Sequence, residues 1–146
     1  MPPRYDAAAW CPWTEADELG ACVRYVRMSG GLLGACDWAG RTIYIRRGIT
    51  SAQKLCVAAH EVLHLRRGPL MCATERIRLR EEEAIALEVA LRLIPFDHLV
   101  DATRWSCHLG EQAEALGVDR FTVRTRLTHL TADEVRVLNQ VHEEVC

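Results

Sequence analysis

Nowhere in these 146 residues does an apolar run approach the ~20 residues needed to cross a bilayer. The opening stretch, MPPRYDAAAW, also lacks the apolar centre of a secretion signal. Both absences predict a cytoplasmic protein with no membrane span. An excess of charge of one sign is missing too, since 18 Lys and Arg face 20 Asp and Glu for a formal net charge of −2. The chain as a whole therefore exerts no attraction on nucleic acid or anionic lipid, and any such contact needs a local patch. Cysteine is plentiful at seven residues, but the odd count and the lack of any CxxC pair exclude a zinc ribbon. They predict reduced thiols buried as small hydrophobes. With 49% apolar and 26% charged residues, the composition is that of a globular domain and not of a disordered chain.

What is present is concentrated in TSAQKLCVAAHEVLHLRRG, Thr50 to Gly68. Thr50 with Gln53 makes a capping box, while Arg66, Arg67, Gly68 and Pro69 supply a cationic last turn and a stop. These signals predict a helix over residues 51–67. Within it His60-Glu61-Val62-Leu63-His64 is an HExxH sequence. Residues four apart share a helix face about 6 Å from each other along the axis, so both imidazoles can reach one ion. Two neutral imidazoles suit zinc, and Glu61 is placed to take a proton from a water that the ion has acidified. Cys56 shares that face, but it stands about 12 Å along the axis from His64 and cannot join both histidines around one ion.

Before this helix, residues 1–13 carry three prolines with Trp10 and Trp13 bracketing Cys11-Pro12, which predicts an extended arm packed through its indoles. A short amphipathic helix is expected from Thr14, on Leu19, Cys22, Val23 and Val26, running into a strand around Tyr25 to Met28. Two β-prone runs flank Asp37-Trp38-Ala39-Gly40 and predict a hairpin whose second strand is Thr42 to Ile45. That hairpin either packs the core or offers its edge to an extended peptide. After Pro69, Thr74 caps a helix with an Arg78–Glu82 pair one turn apart, apolar almost all round from Ala84 to Ile94 and therefore buried until Pro95 stops it. The acidic run Glu81-Glu82-Glu83 opens the buried section, and one of the three is expected to point inward as the third metal ligand.

AHEVLH followed by REEEAIALEVALRLIP and a C-terminal helical segment resembles the ImmA/IrrE family of metallopeptidases, from about Gly31 to Val137. The resemblance implies an α+β, zincin-like fold: a small β-sheet or hairpin packed with the HExxH helix, a second buried helix and a C-terminal helical segment. It makes His60 and His64 zinc ligands and Glu61 the catalytic base. Family spacing from Pro95 selects Glu82 as third ligand, while the alanine three residues after the ligand selects Glu83 as the alternative. The expected organisation is a single domain with residues 1–100 as catalytic core and 101–146 as a helical segment.

In that segment Ala113, Gly117 and Val123 have the spacing of a helix-turn-helix, with Asp119 as a cap and Arg120, Arg124 and Arg126 on or beside the second helix. Glu111, Glu114 and Asp119 dilute this basic patch, which favours a hairpin packed within the protein over a DNA reader. Thr131 with Glu134 caps a final helix. The function expected is that of a regulatory zinc endopeptidase cleaving a protein partner, by resemblance a DNA-binding repressor. Two rivals are a DNA-binding regulator acting through the C-terminal segment and a non-catalytic metal-binding module. A structural zinc is closed by four protein ligands, and only three are found here, which favours catalysis. Tyr44 and His98 are the candidates for stabilising an oxyanion.

Overall fold

Pro12 lacks an amide hydrogen and has its φ already fixed, so it opens a helix where an arm was expected. The computed structural model describes residues 10–146; the remainder of the expected arm lies outside the described residues. The first helix, α1, spans Pro12–Glu18. Gly20, with φ +69, ends the helical path in a conformation that other residues resist. Cys22, Val23 and Val26, expected on the helix, belong instead to strand β1, Cys22–Val26. Their spacing fits either period over so short a stretch, and pairing with another strand decides between them.

That partner is β3, Thr42–Arg46, which runs antiparallel to β2, Gly34–Asp37, as the hairpin expectation requires. β1 adds parallel to the other side of β3, giving the order β1-β3-β2. At the turn the Gly40 amide donates to Asp37 Oδ1 at 3.0 Å. Helix α2, Ser51–Arg67, begins in the predicted capping box: the Gln53 amide donates to Thr50 Oγ1 at 3.1 Å and the Thr50 amide to Gln53 Oε1 at 3.0 Å. Ile43 and Ile45 of β3 are fully buried, as are Val62 and Leu63 of α2, which packs across β2 and β3.

Helix α3, Glu75–Leu93, starts at Thr74, whose Oγ1 accepts from the Ile77 amide. It is not buried all round. Ile85, Val89 and Ala90 are buried while Leu79 and Leu91 are 55% and 47% exposed. Apolar composition alone cannot distinguish a helix sunk in a core from one held by a single stripe.

The chain divides into two compact units, Cys11–Val89 and a second containing Trp10 and Ala90–Cys146. The division falls inside α3, ahead of the expected boundary at residue 100. The second unit is helical: α4 Phe96–Trp105, α5 Leu109–Leu116, α6 Arg120–Thr128 and α7 Ala132–Val145. The four carry the expected punctuation, with Gly117 at φ +69 between α5 and α6, the Asp119 carboxylate accepting from the Thr122 amide, and a Thr131–Glu134 capping box. Seven helices and a small mixed sheet among the described residues make this an α+β protein. No helix of the described residues is long and apolar enough to cross a membrane.

Two expectations fail in the second unit. Cys107 and Cys146 are joined in a disulfide, with Cα atoms 6.3 Å apart, where reduced thiols were expected; residues 39 apart in sequence leave no local spacing to reveal the pairing. Arg126, read as a member of a basic surface patch, is only 3% exposed. Its guanidinium donates to the Ile94 carbonyl at 2.9 Å and to both Glu134 oxygens, at 3.0 and 3.3 Å. A buried cation needs such partners. Arg120 and Arg124 remain exposed, so the candidate patch is reduced to two cations.

Candidate metal centre

Helical periodicity places His60 and His64 one turn apart on α2, and their Nε2 atoms stand 3.1 Å from each other. Glu82 reaches them from α3, with Oε2 2.8 Å from His60 Nε2 and Oε1 2.8 Å from His64 Nε2. One nitrogen from each histidine and one carboxylate oxygen lie within 4.8 Å of one another. Ligand atoms bound tetrahedrally to zinc at 2.0–2.1 Å stand about 3.3 Å apart. The three donors thus already have nearly the spacing an ion would impose, and their chemistry, two imidazoles and a carboxylate, fits zinc. Glu82 is turned to the two histidines, and no ion pair with Arg78, expected one turn away, is found among the described residues.

The other two acids of the run are directed elsewhere. Glu81 accepts from Arg67 Nε at 2.5 Å and from its Nη2 at 3.0 Å, which holds the Glu81 carboxyl below the ordinary glutamate range. Glu83 is exposed and outside the cluster. A step of about 100° per residue separates neighbours on a helix, so Glu81 meets the last residue of α2 while Glu82 meets the two histidines. Ile85 and Val89, three and seven positions beyond Glu82, are buried and continue its stripe.

Glu61 points toward the sheet. It is 9% exposed, and an added Cβ on Gly34 would lie 3.1 Å from its Oε1. Burial, followed by the negative charge of Glu82, pushes its carboxyl up to about 7. A cation among the three donors would oppose both effects. Cys36 shares the sheet face of Gly34, two residues on. Its thiol is pushed up to about 12, first by burial and then by the charges of Glu61 and Asp37. For His60, burial and the neighbouring His64 hold the imidazole below its ordinary value, against the opposing pull of Glu82. A neutral ring is the form that ligates.

Trp38, read from the sequence only as part of a turn, belongs to this site. Its indole N–H donates to the His64 carbonyl at 2.8 Å, and its ring stands edge-on to the His64 ring, centroids 6.1 Å apart. Beside them opens a cleft of about 300 Å³ lined by Trp38, His64, Pro69, Leu70, Arg78 and Glu82. A tryptophan flanked by Asp and Ala-Gly in a hairpin loop was the one available signal, since a turn has no use for an indole.

Of the two oxyanion candidates, Tyr44 is turned away from this cluster. Tyr44 lies between Ile43 and Ile45 on β3, so alternation directs it to the sheet face away from α2. His98 is on α4, in the second compact unit.

Comparison with protein-family models, with curated proteins and with solved structures returns no match to this chain.

Proposed function

We propose that the chain is a zincin-like zinc endopeptidase of the ImmA/IrrE kind, acting in the cytoplasm on a protein partner, a DNA-binding repressor. The observation that carries this reading is the convergence of His60, His64 and Glu82 on one point with buried Glu61 beside them. His60, His64 and Glu82 would hold the ion. Zinc bound there would acidify a water and polarise a carbonyl.

The chain's own groups supply the rest. Glu61 takes the proton of the attacking water at a carboxylate oxygen and returns it to the leaving amide nitrogen. Trp38 fixes the last turn of α2 through the His64 carbonyl and walls the cleft. β2 is an edge strand of the sheet, and its unpaired backbone groups can hold an extended peptide by β-augmentation, with one side chain in the cleft. The side chains of Glu82 and His60 are 50% and 30% exposed, which keeps the site open to a substrate. A module with a purely structural metal would close it.

The deciding experiment compares the wild type with Glu61→Gln against candidate repressors encoded nearby. The expected result is one zinc in this site in both proteins, and site-specific cleavage by the wild type that chelation abolishes and Glu61→Gln lowers at least ~100-fold. Loss of zinc in Glu61→Gln, or cleavage that survives it, would remove Glu61 from the role. Tight sequence-specific DNA binding that persists after chelation, with no cleavage, would favour the regulator instead.

A further inference from the structure

The end of α7 repeats the geometry of the HExxH helix with different donors. His142 and Cys146 are four residues apart at its end, hence on one face. Cys107 reaches the same point from the connection between α4 and α5. One His142 ring nitrogen and the two sulfurs lie within 4.8 Å of one another. Cys107 is half-buried, His142 and Cys146 are exposed, and a cavity of about 360 Å³ bounded by Cys107, Gln112, Asn139 and His142 adjoins them. In the oxidised chain the two sulfurs are joined, with the imidazole beside them. Two thiolates and an imidazole are, however, a donor set that selects zinc among the common divalent cations.

We propose that Cys107, His142 and Cys146 form a second, redox-gated zinc site, closed as a disulfide when oxidised and able to bind one ion when reduced. Reduction by a dithiol breaks the sulfur–sulfur bond and adds two electrons and two protons to the sulfurs, and the dithiol leaves as its own disulfide. Binding then releases the thiol protons. Two sulfurs bound to zinc at about 2.3 Å stand about 3.8 Å apart. With the Cα atoms held 6.3 Å apart, rotation about the two Cα–Cβ bonds opens that distance without moving the backbone. The site shares no residue with the HExxH cluster and does not depend on the peptidase reading.

Cobalt is the probe, because thiolate ligation produces a charge-transfer band that His60, His64 and Glu82, having no sulfur, cannot give. The full chain is titrated with cobalt after oxidation by glutathione disulfide, and again after reduction by a phosphine, which takes its oxygen from water and is removed by anaerobic desalting before metal is added. The expected result is no thiolate band in the oxidised protein and one equivalent of band-forming cobalt in the reduced protein. Cys107→Ser should lose the band and Cys72→Ser, at an exposed free cysteine, should keep it. His142→Ala, which still forms the disulfide, should weaken the reduced protein's cobalt affinity at least ~10-fold. A reduced protein without the band, a band that survives Cys107→Ser or oxidation, or an affinity indifferent to His142→Ala would overturn the proposal.

Discussion

Replacing Gly34 with alanine tests whether β2 is pressed against α2 as tightly as the geometry requires. The new Cβ would stand 2.5 Å from Val57 Cγ1 and 3.1 Å from Glu61 Cγ, where carbon atoms prefer about 3.5–4.0 Å. Val57 is 8% exposed, and a β-branched side chain in a helix has essentially one rotamer. The strand must therefore retreat, at the roughly 1–3 kcal/mol typical of overpacking. Gly34 is outside the left-handed region, so alanine recovers about 0.4–1 kcal/mol by restricting the unfolded chain. The net expectation is a destabilisation of about 1–2 kcal/mol, read as a lower urea midpoint at constant slope for the metal-free protein. Gly31→Ala, with nothing within 4 Å of its new Cβ, should stay within about 0.5 kcal/mol of wild type. Adding Val57→Ala makes room for the methyl, so the double variant should be about 1–2 kcal/mol more stable than the sum of the single changes. Zinc affinity should be little changed while turnover falls, because the displaced neighbour is Glu61 and not a ligand. A Gly34→Ala protein as stable as Gly31→Ala, or an additive cycle, would refute the close contact.

Glu82→Ala should lower zinc affinity at least ~100-fold while Glu83→Ala changes it less than about threefold; metal titration giving the reverse order would move the ligand to Glu83. Arg126→Met leaves the Ile94 carbonyl without its side-chain donor and Glu134 with the Thr131 amide but no cation, and should cost about 2–4 kcal/mol in denaturant unfolding, against less than about 0.5 kcal/mol for exposed Arg124→Ala. The Arg126 hydrogen bond is the first cause holding the Glu134 carboxyl below the ordinary value of 4.5, so Glu134 stabilises the folded state above that value and loses this contribution as pH falls through its depressed folded value. Glu134→Gln should therefore be less stable than wild type at neutral pH, and the difference should close in acid; a constant difference would contradict the pairing. Finally, duplex DNA should bind weakly, and neutralising Arg120 and Arg124 should leave its salt dependence unchanged, since Arg126 is sequestered and two cations make a small electrostatic footprint.

The features readable from the sequence alone are those whose physics is complete within a few residues. The α2 limits follow from Thr50, Gln53 and Gly68, the hairpin from Asp37 to Gly40, and the meeting of His60 with His64 from 3.6 residues per turn. The same local signals set the caps at Thr74, Asp119 and Thr131. Tertiary structure was needed wherever a choice depended on a distant partner. A one-residue change of register turns α3 by about 100°, so Glu82 was separable from its neighbours only once Ile85 and Val89 were seen to be buried. β1 became a strand because β3 had a free side to pair with. Arg126 left the surface because the Ile94 carbonyl and Glu134 satisfy its charge. Cys107 and Cys146 met because α4 and α7 pack together, across 39 residues in which no local propensity records the encounter.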